Sequence, residues 1–347
     1  MRASSPAHPL PSFRRPAYLL AATALAATGL AACGGQKLPT VLSKAPEPAV
    51  APPPMGTPAG TVVALGAHEP EGIQVDASSR YAVVATRDPG AVEIVDTATL
   101  RVLATVPIGA ARHLELATGG EAVIVPSETD DLLQQVAIPS GSIITSVKVG
   151  RQPHDATDLN GTIVVADELG GAVTATRGNA NLGTLGGLAQ PGGVAQASGL
   201  AAVVDVRARL LDVYAVDPFR MTGRVAIGAG PTHAVGLGDG TVAVADTNGG
   251  MMFIVRLAGK PKVLATFSAP DQPYGLAVDL PRHRLWVTST GDDTLRMFTL
   301  GKPGTAPTAG PTYITVQQPN SLAVIPATGQ VIVAGATAEG QLEVITP

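Results

Sequence analysis

The chain has very little of several things. Among 347 residues there is one cysteine, Cys33, so no disulfide can form within the chain. Aromatic residues make up only 3%, too few for the stacking platforms on which sugars or bases are usually held. Charged residues are 14% and the formal net charge is −4, so no basic surface is available to neutralise a phosphate backbone. Nucleic acid is thereby excluded as a partner class. The familiar catalytic signatures are missing too: there is no Gly-x-Ser-x-Gly elbow, no His-Glu-x-x-His helix, no phosphate-binding loop and no cysteine pair. What remains is 45% hydrophobic residues with 40 glycines and 30 prolines, enough for a core and for many tight turns.

The amino terminus is a targeting signal in its pattern. Arg2, Arg14 and Arg15 precede an uncharged apolar run from Ala17 to Leu30, of signal-peptide length and short for a membrane span. The run ends in Leu30-Ala31-Ala32-Cys33, followed by Gly34 and Gly35. This resembles the lipobox of bacterial lipoproteins. The resemblance implies a signal peptide over 1–32, removed to leave a diacylglyceryl-Cys33 that inserts in the lipid bilayer on the extracytoplasmic side. Residues 33–60 then form a tether, with Pro39, Pro46, Pro48, Pro52, Pro53, Pro54 and Pro58 among small residues and no hydrophobic period. Such a stretch is extended and semi-rigid, and is expected to hold the folded domain off the membrane.

From Thr61 to Pro347 the chain repeats itself. A Pro-x-small-apolar anchor recurs at Pro70, Pro153, Pro191, Pro231, Pro273 and Pro319, with a degenerate instance at Ala111-Arg112-His113-Leu114. The spacings run from about 38 to about 46 residues, the length of a four-stranded propeller blade. Each unit holds a near-continuous apolar strand, such as Tyr81-Ala82-Val83-Val84-Ala85-Thr86. It ends in an alternating one, such as Val102-Leu103-Ala104-Thr105-Val106. The last unit stops after its third strand, whereas Thr61-Val62-Val63-Ala64 stands before the first anchor and matches other outer strands. The expected fold is all-β: a seven-bladed β-propeller over 61–347, closed by pairing the first strand with the last blade. The glycine-rich run Arg177 to Gly187 predicts an irregular third blade.

Trp286-Val287-Thr288-Ser289 and Val84-Ala85-Thr86 approach the tetrapeptide of the YVTN-repeat, or YncE-like, β-propellers. Val106-Pro107-Ile108-Gly109, Val147-Lys148-Val149-Gly150 and Val225-Ala226-Ile227-Gly228 match that family's closing strand. The domain resembles this family from Thr61 to the end. The resemblance implies the architecture and leaves function open, because such propellers include binding proteins, scaffolds and enzymes.

Two kinds of loop should ring one mouth of the central channel. The anchors carry Glu71, Arg112, His113, His154, Asp155, His233, Tyr274 and Asn320, the candidate ligand-binding set. The loops after the central strands carry Arg87 and Glu128, and also Asp167, Asp205 and Asp246, the candidate metal ligands. The recurrence of those aspartates at one repeat position equally suits turn-stabilising roles. The leading reading is a membrane-anchored propeller that binds an envelope protein or a small ligand at the channel mouth, without catalysis. No cofactor is predicted; a divalent cation is the one addition the carboxylates would admit. The alternatives are a metal-assisted propeller hydrolase or lyase, lactonase-like or lyase-like, and an envelope scaffold.

Overall fold

The computed structural model describes Met1 and residues 38–66 and 68–347. The signal-peptide and Cys33 expectations therefore fall, Met1 apart, outside the described residues. Among the described residues the one helix is a 3-10 turn, Leu280–Arg282, and no helix is long and apolar enough to cross a membrane.

Seven four-stranded antiparallel sheets follow one another around a ring. Blade three is representative, with an inner strand Pro153–Leu159, a second strand Thr162–Asp167, a third Ala172–Arg177 and an outer strand Ala180–Gly186. The second strands are the most hydrophobic because both of their faces are covered by neighbouring blades. Thr162–Asp167 and Thr241–Asp246 are buried at every position. Outer strands alternate instead, as Lys262–Ser268 does, with one face in solvent.

The core is accordingly a ring of seven apolar layers, each shared by two adjacent blades. One layer, for example, joins Ile73, Ala82 and Val84 of blade one to Ala323, Ile332 and Leu342 of blade seven. A second joins Val164, Ala166 and Val173 to Val194, Val203 and Tyr214. No blade has a core of its own, so each is stable only between its neighbours.

Blade seven is completed by the start of the domain. Thr61–Ala64 pairs antiparallel with Gln341–Ile345, Thr61 opposite Val344 and Val63 opposite Leu342. Glu343, fully buried, pins this seam. Its Oε1 accepts from the Gly60 N–H at 2.7 Å, and its Oε2 accepts from the Thr315 hydroxyl at 2.6 Å and the Val316 N–H at 2.9 Å.

The third blade departs from the expectation of irregularity. Its outer strand pairs along its whole length, from Ala172 opposite Gly186 to Arg177 opposite Ala180, with a register shift between Ala175 and Thr176. Comparable shifts occur at the third strands of blades one, four and five, so this is the ordinary form of the blade. The positive φ of Gly183, 151°, is what its glycine content supplies. The short blade is the second. Where the anchor proline is missing, the inner strand shrinks to Glu115–Leu116.

Candidate functional site

The residues that reach the channel axis are the bulged ones. The inner strand of nearly every blade begins with an anchor proline, and pairing with the second strand shifts register immediately after it. The shift spans Pro70/Gly72, Pro153/Asp155, Pro191/Val194, Pro231/Ala234, Pro273/Leu276 and Pro319/Ser321. The residues skipped by the ladder include Glu71, His154, His233, Tyr274 and Asn320. A bulge re-aims its side chain, and the repeat thereby delivers an anchor side chain from five of the seven blades toward a common centre, where Arg112 and His113 join them from the unbulged second blade. Blade four supplies Gly192 and Gly193 at this place. A Cβ on Gly193 would lie 2.6 Å from the Thr232 carbonyl oxygen and 2.7 Å from the His233 Cα, so its bareness gives the neighbouring histidine strand its room.

At the centre are three imidazoles. The Nε2 atoms of His113 and His233 are 3.1 Å apart, and the ring centroids of His113 and His154 are 4.7 Å apart. His233 Nδ1 lies 3.0 Å from the carbonyl oxygen of Tyr274. A carbonyl can only accept, so His233 carries its hydrogen on Nδ1 and turns a lone pair toward His113. His154 Nδ1 faces Glu128 Oε1 at 3.3 Å and Glu168 Oε2 at 3.5 Å. Around the histidines runs a belt of charge. Arg112 lies 3.3 Å from Glu128 and 3.6 Å from Glu71, and Arg87 bridges the same two carboxylates at 3.8 and 3.5 Å. Asn320 Nδ2 donates to Glu71 at 3.1 Å, and Gln190 Nε2 donates to Glu168 at 2.7 Å.

Burial and charge pull these groups in different directions. Burial alone would lower His154, but the Glu128 and Glu168 carboxylates outweigh it and hold the ring well above the usual histidine range. Burial and the neighbouring His154 push His233 down to about 3, and His113 is lowered for the same reasons. Burial raises Glu71 despite Arg87 and Arg112. Glu71 Oε2 and the Nε atoms of Arg87 and Arg112 are buried without a hydrogen-bond partner, held by long charge–charge contacts alone.

Other sequence candidates lie elsewhere. Asp155 is buried, but its oxygens accept the Ala156 N–H at 2.8 Å and the Val194 N–H at 2.7 Å, tying blade three to blade four. Asp167, Asp205 and Asp246 do not converge into a metal site. Asp167 accepts from Gly150 N–H at 2.9 Å. Asp205 accepts from Ala189 and Gln190 at 2.8 and 3.0 Å, and Asp246 from Ala229 and Gly230 at 2.9 and 2.6 Å. Each sits in its own blade and clamps the loop arriving from the preceding one, a purely structural use of a short acceptor.

Glu168, Gln152 and Gln190 belong to the site and were not singled out from sequence. A signal existed. Glutamine precedes the anchor proline at Gln152, Gln190, Gln272 and Gln318. At Gln152, Gln272 and Gln318 the backbone has a positive φ of 52°, 62° and 53°, which turns the chain sharply into the bulge.

Residues 38–60, expected to be a spacer, are laid across the ring. The Leu42 N–H donates to the Arg207 carbonyl at 2.8 Å, and Arg207 Nε donates back to the Leu42 carbonyl at 2.9 Å. Ala45, Pro46 and Glu47 then pass over His154, His233 and Tyr274. Beyond the axis, Ala49 N–H donates to the Thr290 hydroxyl at 2.9 Å, and Gln318 both donates to the Ala49 carbonyl and accepts from Ala51 N–H. The prolines remove backbone donors, and the N–H groups of Leu42, Ala49 and Ala51 find acceptors on the ring, one a backbone carbonyl and two side chains. The histidine layer is therefore roofed on this side. Below it the channel continues past Gln74, Glu115 and Asp155 into a cavity of about 470 Å³ lined by Gln196, Ala234, Leu276 and Ala323.

No family model matches the chain, and no curated protein matches it. Solved structures share its ring. The U3-55K structure is similar with a TM-score of 0.70 and 11% identity, over 84% of this chain and 100% of that one. The RRP9 WD40 repeats give 0.70 and 11% over 89% and 100%. Hydrazine synthase from Kuenenia stuttgartiensis gives 0.66 and 16% over 84% and 99%. The protein is a seven-bladed β-propeller. At such identities the likeness establishes the fold and nothing about ligand.

Proposed function

We propose that this propeller is a membrane-anchored, extracytoplasmic binding protein of the YVTN-repeat kind, whose ligand is a small polar molecule held in the channel at the histidine layer. The convergence of bulged side chains from different blades carries this reading. Glu71, His154, His233, Tyr274 and Asn320 come from five separate anchors and meet, with Arg112 and His113 of the short second blade, around one axis. Closing the ring does not require them, since the apolar layers and the aspartate clamps do that. The half-buried Glu71, Arg87 and Arg112 each retain one buried polar atom without a hydrogen-bond partner, which a ligand's polar groups would satisfy. The roof turns the entrance toward the opposite face, so a small molecule fits this site better than a docked protein surface.

Mass spectrometry of small molecules released by denaturing the protein purified from its membranes tests the reading. Wild type should release a compound that Arg112→Ala does not, with both proteins giving the same far-ultraviolet circular dichroism. Equal release from the two, or none from wild type, would count against it. Anchoring is checked separately. Cys33→Ser should move the protein from the membrane to the soluble fraction, and its retention on the membrane would refute the lipobox reading.

A further inference from the structure

We propose that His113, His154 and His233 form a three-imidazole site for one divalent first-row transition metal ion of the zinc class. This deepens the binding reading above and rests on it, because the metal would supply the group to which the channel ligand attaches. One ligand atom from each histidine lies within 4.8 Å of the other two, and the closest pair is 3.1 Å apart. Nitrogen ligands about 2.0–2.1 Å from a tetrahedral metal stand roughly 3.3 Å from one another, so small ring rotations would bring all three to bonding distance.

On two of the three histidines the second ring nitrogen is occupied as a metal site requires. His233 Nδ1 donates to the Tyr274 carbonyl at 3.0 Å, and His154 Nδ1 faces the carboxylates of Glu128 and Glu168. On His233 the hydrogen held on Nδ1 leaves the Nε2 lone pair as the donor. On His154 the metal would displace the Nε2 proton while the carboxylates keep the one on Nδ1. These are the carbonyl–histidine and carboxylate–histidine arrangements that orient metal-binding rings. Arg87, Arg112 and the protonated His154 together meet the charges of Glu71, Glu128 and Glu168, so a metal ion at His154 would take the place of a proton the cluster already holds. Three nitrogen donors suit zinc or copper and offer nothing to calcium or magnesium, which take oxygen ligands.

The other set within reach, Glu128–His154–Glu168, is less suited. Glu128 Oε1 also faces Arg112 at 3.3 Å, and Glu168 Oε1 is taken by Gln190. A metal among the three histidines would have its remaining position beside the channel, since His113 and His233 both line the cavity below.

The test uses untagged full-length protein stripped with a chelator and titrated with zinc chloride against a fluorescent zinc indicator. One equivalent should bind with a dissociation constant below about 1 µM, unaffected by millimolar calcium or magnesium. His113→Ala and His233→Ala should each weaken binding at least about 100-fold. X-ray absorption at the zinc edge of the loaded wild type should show imidazole ligands, which keeps the proposal testable should a variant fail to fold. Three results would overturn it: no binding by folded wild type, binding that survives in the double variant His113→Ala/His233→Ala, or a zinc shell dominated by oxygen. If metal fails to bind while the released compound is still found in wild type and lost in Arg112→Ala, only the metal inference falls.

Discussion

The two ends of the channel are walled by the same inner strands, yet they solve opposite problems. At the open end the lining is sparse in charge, with Ala234, Val235, Leu276, Ala323 and Val324 joined by Gln74, Gln196 and one carboxyl, Glu115, around a wide cavity. At the roofed end the bulges, the residues at and after the ends of the second strands and the start of blade two together pack three carboxylates, two guanidiniums and three imidazoles under residues 45–47. Burying that many charges is unfavourable unless each is matched, and the observed belt of alternating sign is the matching. A repeat can therefore place polar side chains at one level of a ring and apolar ones a turn of the pleat away, because alternate residues of one strand face different surroundings. Under the proposed binding function, the open end is the entry and the covered polar layer holds the ligand.

The contrast can be broken most directly at Glu128. Its carboxylate serves Arg87, Arg112 and His154, and its removal leaves the half-buried guanidiniums to Glu71 and the buried imidazole to Glu168. Glu128→Ala should cost about 3–5 kcal/mol in chemical denaturation, against less than about 1 kcal/mol for Val235→Ala at the open end. Similar values for the two would mean that the belt contributes little. Next in size is Glu343, away from both ends. Glu343→Ala leaves the Gly60 and Val316 amides unpaired at the seam, and should cost about 2–3 kcal/mol. Hydrogen exchange would localise the loss to Thr61–Ala64 and Gln341–Ile345.

Smaller effects sharpen the role of the roof. Gln318→Ala removes two bonds to the strap, and should speed exchange of the Ala51 amide roughly 5- to 10-fold while shifting the melting temperature little. No change there would show that residues 38–52 are held by other contacts. The smallest effect concerns a buried carboxylate remote from the channel. Burial pushes Asp212 up to about 6, although Arg224 opposes this at 2.9 Å. The folded state then holds the Asp212 proton more tightly than the unfolded chain does. Its stabilising contribution is present below the unfolded value near 4 and is lost as pH rises through 6. The melting-temperature advantage of wild type over Asp212→Asn should shrink between pH 4.5 and 7. An advantage that is constant or growing with pH would contradict the assigned direction.

Much of the architecture was legible because its signals are short-range. The anchors, the apolar second strands and the surplus strand Thr61–Ala64 each repeat a local pattern, and a period of roughly forty residues leaves few closed arrangements. The third blade misled because glycine content is weak information about pairing. Ala180–Gly186 is held by its register with Ala172–Arg177, not by intrinsic strand preference. Of the candidate site, the anchor residues Glu71, Arg112, His113, His154, His233, Tyr274 and Asn320 were visible, since they occupy the first or second place after the start of an anchor. Asp167, Asp205 and Asp246 were visible because they recur at one repeat position, and there repetition marked a structural clamp. Glu168, Gln152 and Gln190 carried a weaker mark, and nothing local to residues 38–60 told a roof from a spacer.

The sequence by itself determined the repeat, the count of blades and the face on which the anchor side chains gather, because alternation and turn chemistry act over a few residues. Only the tertiary structure decided which of those side chains meet. The distance between His113 and His233, 120 positions apart, depends on how seven blades curve into a ring. The cover over them depends on contacts between Leu42 and Arg207, or between Ala49 and Thr290, that no period in the chain encodes.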